Sequence, residues 1–167
     1  MAYTLEQLSH DIRGALKSDP GPGGKQAVCE VLPKALLDQD FVAKYLTADQ
    51  CRPRKVLYED PELGFCICGH VYPDAANSAP HDHGSSWAIY GVAVGDTEMT
   101  DWSVVKKGEG DSATLVEPAK KYMMKPGDAH FYEVGAVHSP ERHGLTKLVR
   151  IEGANLDHVK RSRIKAA

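Results

Sequence analysis

From Lys55 onward the chain is a succession of short β-like runs cut by turns, and that texture constrains its fold more than any other feature. The expected strands span 55–58, 65–72, 87–94, 97–105, 113–116, 130–134 and 146–151. Turns are expected at Asp60–Gly64, Gly95–Asp96, Lys107–Asp111 and Pro126–Asp128, where Gly, Pro and Asp supply the backbone conformations that end a strand. Many short strands at even spacing make a sandwich or a barrel, because each strand must bury one face against another layer. The first ~50 residues read as helical. Thr4 and Gln7 stand three apart as in a capping box, and Leu5, Leu8, Ile12 and Leu16 recur at helical spacing. Asp19–Gly24 breaks the pattern, and Gly21–Gly24 reads as a linker. Two more short helices are expected at 26–37 and 41–46, followed by a connector at 51–54.

A chain of 167 residues is long enough for one domain with a real core. That domain divides into a helical extension, 1–50, and a β-barrel, 54–152. Net charge is −3 and pI about 6.2, and the basic clusters are short, so no surface for nucleic acid or an anionic membrane is expected. No segment approaches the ~20 apolar residues of a membrane-spanning helix. The N-terminus lacks the basic and apolar regions of a signal peptide, and a cytoplasmic location is the expectation. Cys29, Cys51, Cys66 and Cys68 show no zinc-finger spacing. They read as buried thiols, with Cys66 and Cys68 on one face of a strand.

His81-Asp82-His83 is the strongest local feature. On extended backbone, residues i and i+2 point the same way, so both imidazoles can converge on one divalent metal. Pro80 holds the entry extended, and Gly84–Ser86 reads as a turn. A useful site needs a third ligand. His138 follows the turn at Pro126–Asp128, a strand, and a tight turn at Gly135.

Two stretches carry a specific likeness. Ala79-Pro80-His81-Asp82-His83-Gly84-Ser85-Ser86-Trp87-Ala88-Ile89-Tyr90-Gly91 resembles the first cupin motif. Pro126-Gly127-Asp128-Ala129-His130-Phe131-Tyr132-Glu133-Val134-Gly135-Ala136-Val137-His138 resembles the second. The likeness covers about residues 40–152. The run from Arg54 to Trp87 and the helical N-terminus are similar to the cysteine dioxygenase, or thiol dioxygenase, branch of that superfamily. The resemblance implies a mainly β fold, the cupin double-stranded β-helix or jelly-roll barrel, preceded by two or three helices. It makes His138, rather than His130, the third ligand. It also implies one divalent metal, Fe(II) first, with Zn, Ni or Mn as alternatives.

Many cupins add a glutamate four or five residues after the second histidine. Trp87 and Ala88 stand there, so the site reads as three neutral histidines, a family trait of thiol dioxygenases. Such a site leaves the metal charge uncompensated and favours an anionic ligand such as a thiolate. Open positions on ferrous iron would serve a small thiol carboxylate and dioxygen side by side. The product would be a sulfinic acid. The chain departs from the branch at two points. Ala88 replaces the cysteine of the family's cysteine–tyrosine cross-link. The stretch 145–152 has no counterpart of its Ser-x-His-x-Tyr triad, and Arg150 and Glu152 occupy those places. Arg54 and Arg150 are the candidate clamps for a substrate carboxylate, Arg150 being equally placed to pair with Glu152. Tyr90 and Trp87 are candidate pocket walls, with core packing as the alternative. His130 and Tyr132 share a strand face and are candidates for contacts behind the metal ligands or to substrate. His70 shows no partner in the sequence. Two other functions stay open: an isomerase or hydrolase using another divalent metal, zinc above all, or a small-ligand sensor without catalysis. A homodimer through sheet edges is also compatible.

Overall fold

The computed structural model describes residues 2–167. Five helical segments open the chain: α1 (Leu5–Ser18), α2 (Pro22–Val31), α3 (Pro33–Leu36), α4 (Gln39–Tyr45) and α5 (Ala48–Cys51). The capping box forms as the sequence predicts, with Thr4 Oγ1 accepting from the Gln7 N–H and Gln7 Oε1 from the Thr4 N–H. Three of the segments, α1, α2 and α4, exceed a single turn, in line with the two or three helices expected, and α3 and α5 are four residues each. Gly21–Gly24 is not a linker: Gly21 caps α2 and Pro22 opens it, where a missing N–H costs nothing. Pro33 then divides α2 from α3.

Ten strands follow: β1 (Lys55–Glu59), β2 (Cys66–Tyr72), β3 (Ala76–Asn77), β4 (Ala88–Val94), β5 (Thr97–Lys106), β6 (Thr114–Met124), β7 (Ala129–Tyr132), β8 (Val137–Arg142), β9 (Thr146–Glu152) and β10 (Ile164–Ala166). They form two five-stranded sheets, β1-β2-β9-β4-β7 and β10-β6-β5-β8-β3. Facing and curled, these make the cupin double-stranded β-helix that the motifs imply. Strand β6 runs well past the expected 113–116, because Pro118 falls where the β5–β6 register shifts, a place that tolerates a missing donor. The strands also continue beyond Glu152, since β10 pairs parallel with β6.

The first sheet is buried on both faces. Ile67 and Val71 of β2, Ile89 and Ala93 of β4, and Val149 and Ile151 of β9 pack outward against Leu8, Ile12, Leu32, Leu36 and Phe41 of the helices. The other parity points into the barrel: Cys66, Cys68, His70 and Tyr72; Ala88, Tyr90 and Val92; Leu148, Arg150 and Glu152. Glycines set how close the helices come. A Cβ on Gly91 would meet Leu36 at 3.0 Å, and one on Gly69 would meet the Cys51 sulfur at 2.7 Å. Arg13 of α1 pairs with Asp60 at 2.7 Å in the β1–β2 turn and ties the helical layer to the sheet.

Candidate metal centre

The loop before β4 carries His81 and His83, and β8 carries His138. The loop is stitched to β8 by reciprocal backbone hydrogen bonds between His81 and His138, both 3.0 Å. Gly135 makes the turn into β8 at φ +80°, which a side chain would oppose. Asp82 is buried but turned away from the cluster, accepting from the Gly84 N–H at 3.0 Å and so closing the loop. One nitrogen from each of His81, His83 and His138 lies within 4.8 Å of the others.

The donor set fits a divalent first-row metal. His81 Nδ1 faces the Ala79 carbonyl at 2.8 Å and His138 Nδ1 faces that of Ala136 at 3.3 Å, which leaves each Nε2 free as a ligand. The Nε2 atoms of His83 and His138 face each other at 3.1 Å, close to the ~3.3 Å separation of two nitrogens each about 2.0–2.1 Å from one zinc-like ion. Burial, reinforced by Arg150, holds His83 far below the usual imidazole range. Burial and then His81 pull His138 down to about 3. All three rings are therefore neutral near pH 7, the form that ligates. Among the described residues no carboxylate joins the cluster.

His81 and His138 open into a cavity of about 390 Å³ between the sheets, walled by Arg54, His70, Tyr72, Tyr90, Arg142, Arg150 and Arg161 among others. Of the candidate clamps, Arg54 and Arg150 both reach this wall and both pair with Glu152, at 2.9 and 2.8 Å. Arg54 also meets Asp157 at 3.0 Å. Tyr90 lines the cavity, whereas Trp87 does not. Its parity is that of Ile89, so it faces outward against Phe131, with the Lys25 ammonium 5.5 Å from its ring. Tyr132 lies flat on His138, with centroids 3.9 Å apart. His130 packs tilted against Tyr132, with centroids 4.6 Å apart, and stands at the exposed end of the row.

Four residues escaped the sequence reading. Tyr122 and Tyr132 share a 2.5 Å hydrogen bond, and Tyr122 donates to Asp101 at 2.9 Å, so a polar row runs from the stack on His138 to Asp101. Arg142 lies on the same β8 face as His138, four residues on. His70 alternates with Cys66 and Cys68 on the inward face of β2. The strand periodicity that placed Cys66 and Cys68 together would have placed His70 with them.

The chain thus has a cupin-type double-stranded β-helix fold that carries a candidate metal centre. An uncharacterised conserved protein with a double-stranded β-helix domain from Klebsiella pneumoniae superposes at TM-score 0.50, with 16% identity over 74% of this chain and 88% of that one. A cupin superfamily protein of Desulfitobacterium hafniense gives 0.45, with 14% identity over 61% and 76%. KdgF of a Halomonas species gives 0.44, with 19% identity over 59% and 74%. The likeness is one of fold. No family model matches the sequence, and no curated protein matches it.

Proposed function

We propose that the chain is an Fe(II)-dependent dioxygenase of a small thiol bearing an acid group, of the cysteine or mercapto-acid type, with a sulfinic acid as product. The observation that carries this reading is a three-histidine cluster, without a carboxylate, two of whose members, His81 and His138, line a cavity with four arginines. His81, His83 and His138 would hold the metal, which when bound supplies a Lewis acid for the thiolate and a redox centre for dioxygen. The chain's own part is electrostatic and steric. Three neutral ligands leave the metal's charge unopposed, and Arg142, Arg150 and Arg161 add to the positive field, so an anionic substrate is drawn in and stays ionised. Tyr132 fixes the His138 ring from behind. In the balanced reaction one thiol and one dioxygen give one sulfinic acid, both oxygen atoms ending on sulfur and no outside reductant being consumed.

One observation favours a second reading. Arg150 and Glu152 form an ion pair where the thiol dioxygenase triad would stand, and Ala88 faces the barrel where the cross-linking cysteine would be. The same three histidines with zinc would suit an isomerase or hydrolase of a small acid. Oxygen uptake by anaerobically purified, Fe(II)-loaded protein decides between them, using cysteine, 3-mercaptopropionate, cysteamine and mercaptosuccinate. Stoichiometric uptake with one thiol, absent in His138→Ala, supports the dioxygenase. No uptake by protein shown to hold its iron rejects it.

A further inference from the structure

Arg142 is a buried cation with nothing to neutralise it. Its side chain is 4% exposed. Nε and Nη2 both donate to the Tyr90 hydroxyl, at 3.2 and 3.0 Å, and the guanidinium lies 4.0 Å above the Tyr72 ring. Burial raises the Tyr90 phenol above its ordinary value, so Tyr90 offers a dipole and no negative charge. Nη1 is buried without a partner. Among the described residues no carboxylate lies within ion-pairing distance of Arg142, whereas Arg54 and Arg150 share Glu152. A guanidinium stays charged at any ordinary pH, and a buried charge left unpaired is strongly unfavourable.

A second unpartnered group lies in the same wall. His70 is 3% exposed, and neither ring nitrogen has a partner; the Pro53 carbonyl faces the ring without meeting hydrogen-bond geometry. Burial and Arg150 keep this imidazole neutral, so it has one N–H to donate. A planar guanidinium edge pairs with the two oxygens of a carboxylate, and an imidazole N–H from the same cavity wall adds a further donor. Arg142 and His138 are on one strand face, with Cα atoms about 13 Å apart along β8.

We propose that Arg142 and His70 form a carboxylate-binding subsite at the end of the cavity remote from the three histidines. The cavity's ligand is then a small molecule with a metal-seeking donor at one end and a carboxylate at the other. The donor end rests on the reading of the histidines as a metal centre; the carboxylate end does not. Arg142 sets specificity, and the Arg54–Glu152–Arg150 pairs brace the wall.

The test is calorimetric titration of the full-length, chelator-treated protein with propionate, propionamide and inorganic phosphate. Saturable binding of propionate, with none of propionamide, is expected. Arg142→Gln should weaken propionate binding about tenfold or more. Tyr90→Phe, which keeps the guanidinium but frees it, should weaken binding severalfold with an unchanged circular dichroism spectrum; it also serves if Arg142→Gln does not fold. Propionate binding undiminished in a folded variant, no binding to the parent protein, or tighter binding of phosphate would each overturn the subsite. A failed oxygen-uptake experiment would leave this result untouched, and loss of propionate binding would leave metal content untouched.

Discussion

Tyr132 lies against His138 ring to ring, with centroids 3.9 Å apart and planes 21° from parallel, and its hydroxyl is held at 2.5 Å by Tyr122. His138, the candidate ligand on β8, is therefore backed by an aromatic plate that is itself pinned. Tyr132→Ala should lower metal affinity roughly 10- to 100-fold, the usual effect of removing a group that orients a ligand. Tyr132→Phe keeps the plate and loses one hydrogen bond, so its cost is about 1 kcal/mol of stability and little affinity. Equal affinities for the two variants in a competitive chelator titration would show that the stack does not orient the ring.

Glu152 is fully buried between Arg54 and Arg150, whose side chains are 20% and 12% exposed. Glu152→Gln leaves the largely buried Arg150 guanidinium without a carboxylate and Arg54 with Asp157 alone. The expected loss is about 3 kcal/mol in urea unfolding, because an uncompensated buried charge is the expensive state. A loss under ~1 kcal/mol would mean that water already neutralises the pair.

Asp60 predicts how stability falls in acid. Burial alone would raise its pKa, but the Leu63 and Glu62 N–H groups, Arg13 and Tyr58 outweigh it and hold the carboxyl below its usual value. A folded pKa below the unfolded one gives stability that is complete above about pH 4 and lost as pH falls through the folded value. Asp60→Asn should lower Tm at pH 7 and lower it less at pH 2. An equal drop at both pH values would show that the charge contributes nothing.

The cysteines give a reactivity prediction. Burial pushes the thiols of Cys29 and Cys66 up to about 11 and that of Cys68 up to about 12. All four cysteines are free and buried. Labelling by a thiol reagent at pH 8 should run on the order of 100-fold or more slower in the native protein than in urea. A fast-reacting native thiol would mark a local opening that the fold does not show.

The sandwich-or-barrel class and the His81–His83 pair were legible from short-range signals, whereas the jelly roll and His138 as third ligand came through the resemblance of the two motif stretches. Turn residues bound most strands, and His81 and His83 share a face by strand periodicity alone. Trp87 was not legible for the opposite reason. Trp87–Val94 is apolar at nearly every position because β4 is covered on both faces, so no alternation says which parity meets the cavity. Arg142 and His70 line one cavity from two different sheets, a relation that local sequence does not carry. β10 was missed for a similar reason: three residues find a parallel partner some fifty positions back, at Thr114–Val116.

The central claim is that His81, His83 and His138 hold one divalent metal, and the most direct test is metal content by mass spectrometry after loading with Fe(II) or Zn(II) and exhaustive dialysis. One equivalent per chain in the parent protein and in His130→Ala, with nearly none in His138→Ala, is the predicted result. Full occupancy in His138→Ala, or equal losses in the two variants, would contradict it and place the metal elsewhere.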